Sequence, residues 1–447
     1  MYPTSMKALP FVLAILLVAS PVLGAVGPDA VSGQTPALNG TSPTQTQQVS
    51  NETVRVLDIP ESAIVQATVE PQHVDLGPSL DFAALRSGGQ IQTGASIERI
   101  ESANDDSIRQ QLILDEINRI EQRAIALQST QRSVIEAFND DQISARELLV
   151  ELARIDAEAR GLNERRIELR SLATETPDFS IESARLAALE RELDTFTGPV
   201  RKHAVAVMTG RSDPTRFSVR TSDTGVVLSV VADGEYIREA YRADLRDRDR
   251  STVTYEDALG IVADNYPAVY SSRSAQNGTN VISAGNSHRV RINYNSGQLA
   301  AYVDAGSGEV FKETQRRPLR GVSLTTPTTE VKDGLSLTAY RTYPGGPLRI
   351  QLNETETDTP VDANVTLGLE ASQESTLVGH TGPDGTIWTV SPSETFTITV
   401  IKGNSAVVLT TSPTTIPGLA TNTTGESNST PDGETTPAPT PGTPIPA

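Results

Sequence analysis

Cysteine is missing altogether from the 447-residue chain. That excludes disulfides, thiolate metal ligands, a cysteine nucleophile and a lipid-bearing cysteine anchor. Lysine is nearly absent: Lys7, Lys202, Lys312, Lys332 and Lys402 are the only five among 37 basic residues. Aromatics make up 4% of the chain, with a single tryptophan, Trp388. The four histidines, His73, His203, His288 and His380, are scattered, and no HExxH or paired-histidine spacing occurs, so no zinc site is expected. No Gly-X-Ser-X-Gly elbow and no Walker A loop is present, and Gly306-Ser307-Gly308 and Gly345-Gly346 read as turns. No enzyme activity and no cofactor are therefore expected. A basic stripe is lacking too. Its nearest candidate, Arg242–Arg250, is interrupted by Asp244, Asp247 and Asp249 and reads as a salt-bridged loop, with a calcium site as the alternative. Nucleic acid is thereby excluded as a partner.

Acid is what the chain has in excess. The net charge is −19 and the pI about 4.7. Abundant carboxylate with scarce lysine keeps a protein hydrated in strong brine, where the Debye length falls to about 3 Å and self-repulsion is screened. This balance resembles proteins of halophilic archaea.

The N-terminus carries Lys7, an apolar stretch from Ala8 to Val18 and small residues through Ala25. It has the order of a secretory signal cleaved after Gly24 or Ala25, and its apolar stretch is short for a membrane span. Residues 1–24 are assigned as signal peptide and 25–50 as a disordered linker. The tail from 411 to 447, rich in Thr, Pro, Ser and Asn, cannot build a core and is also expected to be disordered. No transmembrane span is expected after signal removal. Asn-X-Ser/Thr sequons at Asn39, Asn51, Asn277, Asn353, Asn364, Asn422 and Asn428 are the candidate modification sites.

Between the tails the periodicity changes three times, and a multidomain α+β fold follows. Residues 51–104 form a small mixed segment with a strand at Thr53–Leu57. Residues 105–197 form a helical module. Ile113, Ile117, Ile120, Ala124, Leu127, Gln131, Val134 and Phe138 trace one heptad seam; Leu148, Leu152, Ile155, Ala159, Leu162, Arg166, Leu169 and Ala173 trace another. The turn between them is short, and Ser144 with Glu147 makes a capping box, so an antiparallel coiled-coil hairpin of roughly 45–50 Å is predicted. Gln131 and Arg166 interrupt the seams and are expected to fix register or meet a third helix. A third helix over Ile181–Phe196, capped by Ser180, follows Pro177.

Residues 198–316 read as two helix-then-antiparallel-strands units in tandem. The helices are Pro199–Met208 and Tyr255–Tyr266, the second stopping at Pro267, and Asp233-Gly234 marks a hairpin. Asp257-Ala258-Leu259-Gly260-Ile261-Val262, Tyr266-Pro267 and the hairpin Val303-Asp304-Ala305-Gly306-Ser307-Gly308-Glu309-Val310 resemble a PepSY domain over 255–314, with Ser307 replacing the usual Thr. Residues 199–243 read as a degenerate copy. The resemblance implies a non-catalytic module that restrains peptidases.

Residues 317–410 are Thr- and Val-rich, with seven strand candidates between Ser336 and Leu409, and predict a β-sandwich. The stretches 359–367, 379–386 and 396–400 resemble a carboxypeptidase-regulatory or Cna-B-type sandwich, and Trp388 is expected in its core. The function expected from the whole is that of a non-enzymatic, secreted or cell-surface structural or interaction protein of a halophile, with protein partners in the cell envelope. The alternative is a PepSY-type regulator of an exported peptidase.

Overall fold

The computed structural model describes residues 54–60, 64–70, 74–276, 278–324, 327–370 and 375–419. Residues 1–24 and 25–50, assigned from the sequence as signal peptide and linker, and residues 420–447 of the expected tail lie outside them. Among the described residues, no helix is long and apolar enough to cross a membrane.

Eight strands form one antiparallel sheet in the order β1-β2-β3-β4-β8-β7-β6-β5. They are β1 (Val65–Val69), β2 (Phe217–Thr221), β3 (Gly225–Ala232), β4 (Glu235–Arg242), β5 (Thr279–Ala284), β6 (Ser287–Tyr294), β7 (Gly297–Asp304) and β8 (Val310–Pro318). The two expected units are thus fused. β4 pairs with β8 from Glu235↔Pro318 to Tyr241↔Lys312, and both meanders share one sheet. Asp233 and Gly234 both have positive φ, as the two-residue β3–β4 hairpin requires. β3, Gly-Val-Val-Leu-Ser-Val-Val-Ala, is a near-continuous apolar run because it is covered on both faces.

The leading helices of the two units lie on opposite faces. α5 (Pro199–Met208) packs over Phe217, Val219, Leu228, Val230 and Ile237. α6 (Tyr255–Asn265) packs over Val290, Ile292, Leu299, Ala301 and Val303. Thr254 and Asp257 cap α6 reciprocally. α6 stops before Pro267 as expected, and Pro267 then opens a separate short helix, α7 (Pro267–Ser271), at the position where a missing N–H costs nothing.

The helical layer is larger than the predicted hairpin. α2 (Asp106–Asn139) and α3 (Ala145–Glu175) run antiparallel, and at 34 and 31 residues they are about 51 and 46 Å long. Ser144 and Glu147 form the capping box. Beside them lies a helix that sequence periodicity does not reveal, α1 (Leu76–Glu101), inside the segment expected to be small and mixed. Asp75 caps it by accepting from Gly77 N. α3 is therefore buried on several sides; Leu149, Val150, Ala153 and Leu172 join its predicted seam in the core. α4 (Ser183–Asp194) starts later than predicted, with Glu182 rather than Ser180 at its N-cap and no side-chain cap bond.

Two further corrections concern the chain ends. Over its described part, the strand expected at Thr53–Leu57 does not form: residues 54–60 are an extended strap across the sheet, with one bridge, Val56 to Gly418. Nor does the fold stop at Thr411. Val56 N donates to Pro417 O (2.9 Å), Leu419 N donates to Val56 O (3.2 Å), and Leu419 packs into the core beneath α6.

The C-terminal module is a sandwich of two four-stranded sheets, β14-β11-β10-β9 and β13-β12-β15-β16. Its strands are β9 (Pro327–Lys332), β10 (Leu335–Tyr340), β11 (Pro347–Glu354), β12 (Asn364–Leu369), β13 (Ser375–His380), β14 (Thr386–Val390), β15 (Phe396–Lys402) and β16 (Ser405–Thr411). β9 escaped prediction because its Pro-Thr-Thr-Glu-Val-Lys is an exposed polar edge. The turn at Tyr343-Pro344-Gly345-Gly346 docks the sandwich on the large sheet. Gly345 O accepts from Ser229 Oγ (2.6 Å) and Tyr236 Oη (3.0 Å).

Candidate interaction site

The buried charges on both faces of the sheet hold layers together. On the face turned to the helical layer, Arg201 Nε donates to Glu239 Oε1 (2.8 Å) and Val200 N to Glu239 Oε2 (2.9 Å). Arg201 Nη1 reaches Gln131 Oε1 (2.8 Å), so this break in the α2 seam meets α5. Arg166 likewise meets α4, donating to Glu190 Oε2 (2.9 Å). On the other face Arg238, 1% exposed, donates to Glu313 Oε1 (2.8 Å) and Leu57 O (2.5 Å). Glu313 Oε2 accepts from Tyr266 Oη (2.7 Å) and Leu57 N (2.6 Å). Burial pushes the Glu313 carboxyl up, against the pull of Arg238. Lys312, also buried, donates to Thr197 O (2.6 Å) and Asp194 O, and burial pushes it down to about 8.

Between α1, α3 and α5 lies an open cleft of about 1360 Å³. α1 and α3 run parallel, tied by Asp81–Arg154, Gln92–Arg165 (3.2 Å) and Thr93–Arg165 (3.1 Å). In that register Gly88 stands level with Gly161. A Cβ built on Gly88, Gly89 or Gly161 meets nothing within 4 Å. The floor is apolar, with Phe82, Leu162, Val205 and Ala206 among its residues. Basic groups crowd the rim: Arg86, Arg123, Arg160, Arg165, Lys202, Arg211 and Arg316 against Asp156, Glu158, Glu164 and Glu168. Asp156 and Glu158 are already taken by Arg160 and Arg123. Among the described residues, Arg86, Arg165, Lys202 and Arg211 form no ion pair, in a chain of net charge −19. His203 lines the same cleft; burial holds its ring below its ordinary value, so it is neutral near pH 7. The arrangement suits holding an anion against an apolar wall. The cleft is not legible in the sequence because its first wall, α1, carries Gly88-Gly89 in mid-helix, which masks the helical signal.

The residues singled out by sequence do not converge. Asn39, Asn51, Asn277, Asn422, Asn428 and His73 lie outside the described residues. Asn364 is exposed on β12. Asn353 is half-buried, and its Nδ2 donates to Asp358 Oδ1 (2.7 Å). His288 is fixed between Ser283 Oγ (2.6 Å) and Val253 O (2.9 Å), and His380 is exposed on the sandwich. The 242–250 loop is salt-bridged, through Arg242–Asp244, Arg246–Glu192 and Arg250–Asp247. No group that could hold a metal ion occurs among the described residues. Asp304, the hairpin residue, is fully buried and structural. Its Oδ1 accepts from the backbone of Asp247, Gly306 and Ser307, each at 3.0 Å. Trp388 is not a core residue. It is half-buried on the outward side of β14, opposite Arg349, whose guanidinium stacks on Tyr340 (3.8 Å) and lies 6.0 Å from the indole.

Three family models match successive parts of the chain. Residues 6–213 match a domain of unknown function, DUF7096, and residues 217–323 match a family of unknown function, DUF7094. Their border falls between α5 and β2, not at residue 198, so the first match supplies β1 and α5 to the sheet of the second. The PepSY-like stretch 255–314 falls inside the second. No curated protein and no solved structure matches the chain. Residues 326–409 match an archaeal fibronectin-III type-like domain rather than a carboxypeptidase-regulatory or Cna-B sandwich, so the β-sandwich at the C-terminal side of the chain is fibronectin-III-like.

Proposed function

We propose that the chain is an exported, non-catalytic interaction protein of the cell exterior, built for strong brine. One observation carries this reading: the sandwich is locked onto the sheet through Gly345, while the helical layer is locked onto the opposite face through Arg201 and Glu239. A fibronectin-III-like module thus backs a rigid platform whose other side presents an open cleft. The acidic, lysine-poor surface and the signal-like start support an exterior, saline setting. Thermal unfolding across a potassium chloride series tests the solvent part. The midpoint is expected to climb steadily from millimolar to molar salt; a midpoint that falls instead opposes it.

A second reading, restraint of an exported peptidase by the half from α6 to β8, is favoured by one observation. The helix–meander order and the Asp304-centred hairpin follow the PepSY pattern. Purified chain is then expected to slow at least one co-exported peptidase, and a set of such peptidases left at full rate removes this reading.

A further inference from the structure

Glycine inside a helix costs stability relative to alanine, and proteins usually retain it where another backbone comes close. Gly88, Gly89 and Gly161 have no such neighbour, since nothing lies within 4 Å of a Cβ on any of them. Two are level with each other on parallel helices, and all three face the cleft. What the missing side chains create is space, over an apolar floor and under a basic rim. Arg86 and Lys202 on that rim meet no carboxylate among the described residues. Arg165 is held in place by Thr93 and Gln92, neutral groups, rather than by a carboxylate.

We infer that this cleft binds an amphipathic anion, an extended apolar chain ending in a carboxylate or phosphate. The apolar part would lie against Phe82 and Leu162 in the gap left by the glycines. The head would sit among Arg86, Arg165 and Lys202. A cleft of about 1360 Å³ is ample for one long chain. The site goes beyond the reading given above, because it needs neither export nor a protein partner.

The test uses the purified chain in molar potassium chloride with dansyl-undecanoate, a fluorescent fatty-acid carboxylate, and its neutral methyl ester. Saturable fluorescence enhancement is expected from the acid, with about tenfold weaker binding of the ester. In Arg86→Glu/Lys202→Glu, the acid is expected to bind at least about tenfold more weakly at an unchanged melting temperature. In Gly89→Leu/Gly161→Leu, binding should vanish while the melting temperature rises by roughly several degrees, because helix propensity improves and space is filled. Purely structural glycines would give the opposite, a lowered melting temperature. No saturable signal below about 100 µM overturns the inference, as does equal binding of acid and ester, or wild-type binding by both variants. Pelleting with phosphatidylglycerol vesicles separates the sources: sedimentation without binding of free probe overturns the cleft in favour of a membrane surface. Loss of both sedimentation and probe binding in the charge-reversed variant supports it.

Discussion

Arg238 and Glu239 are consecutive residues of β4 that leave opposite faces of the sheet, and each fastens a different layer. Glu239 receives Arg201 and Val200 N of α5. Arg238 holds the strap by donating to Leu57 O and also donates to Glu313, which accepts from Tyr266 at the end of α6. The alternation of side chains along a strand thus turns one dipeptide into a two-sided rivet at the centre of the sheet.

Removing one member of a buried pair strands the other's charge. Arg238→Met is expected to lower unfolding stability by about 3–5 kcal/mol. Arg238→Met/Glu313→Met should lose clearly less than the sum of the single variants, with a coupling of about 2 kcal/mol. Urea titration in molar salt measures both; strict additivity would show that the pair is not one unit.

Gly198 is required by contact, not by its φ. A Cβ there would lie 1.9 Å from Glu239 Oε2, which is already bound to Val200 N. Gly198→Ala must displace a buried, hydrogen-bonded carboxylate and is expected to cost about 2 kcal/mol or more. Gly403→Ala, at a position with open space and positive φ, serves as a milder comparison. Equal melting temperatures for the two variants would contradict the assignment.

Lys312 sets a pH dependence whose sign is fixed. Its ammonium titrates near 8 when folded and near 10.5 when unfolded. Between those values the unfolded chain holds the extra proton, so stability rises with pH by up to roughly 3 kcal/mol. Buried tyrosines act the other way: Tyr294 is pushed up to about 12 from 10 and favours the folded state less as pH climbs through that range. The melting temperature is expected to rise from pH 8 to about 10 and then fall. Lys312→Met should flatten the rise and leave the fall.

Gly345 has φ +71°, and a Cβ there would meet Ser218 Oγ at 2.9 Å. Gly345→Val is expected to release the sandwich from the sheet, so calorimetry should show two transitions in place of one. A single transition at an unchanged temperature would mean the dock contributes little.

Much of this architecture is legible in the residues. The Ser144 capping box and the Asp233-Gly234 hairpin are local signals and stand where turn chemistry places them, and the predicted seam residues of α2 and α3 are buried except Val134, which is half-buried with Ile135 in the core instead. α1 is not legible, because Gly88, Gly89 and Gly94 weaken its propensity and its exposed Leu76, Leu80 and Ile91 blur the buried face. The fusion of two units into one sheet is not legible either, since the β4–β8 register depends on residues some 80 positions apart. Trp388 misleads because bulk suggests burial, whereas a position opposite Arg349 on the outer face of β14 stacks it in half-shelter. The cleft depends on α1 and stayed hidden with it. Two sequons lie among the described residues: exposed Asn364 is expected to carry a glycan by peptide mass spectrometry, and engaged Asn353 to be bare. Detection of the reverse would contradict that reading of exposure.

Where the protein resides is decided by peptide mass spectrometry of separated cytosol, membrane, envelope and medium. The chain is expected in the exterior fractions, with a mature N-terminus just after Gly24 or Ala25. Recovery solely from cytosol, with peptides from residues 1–24 still attached, would contradict it.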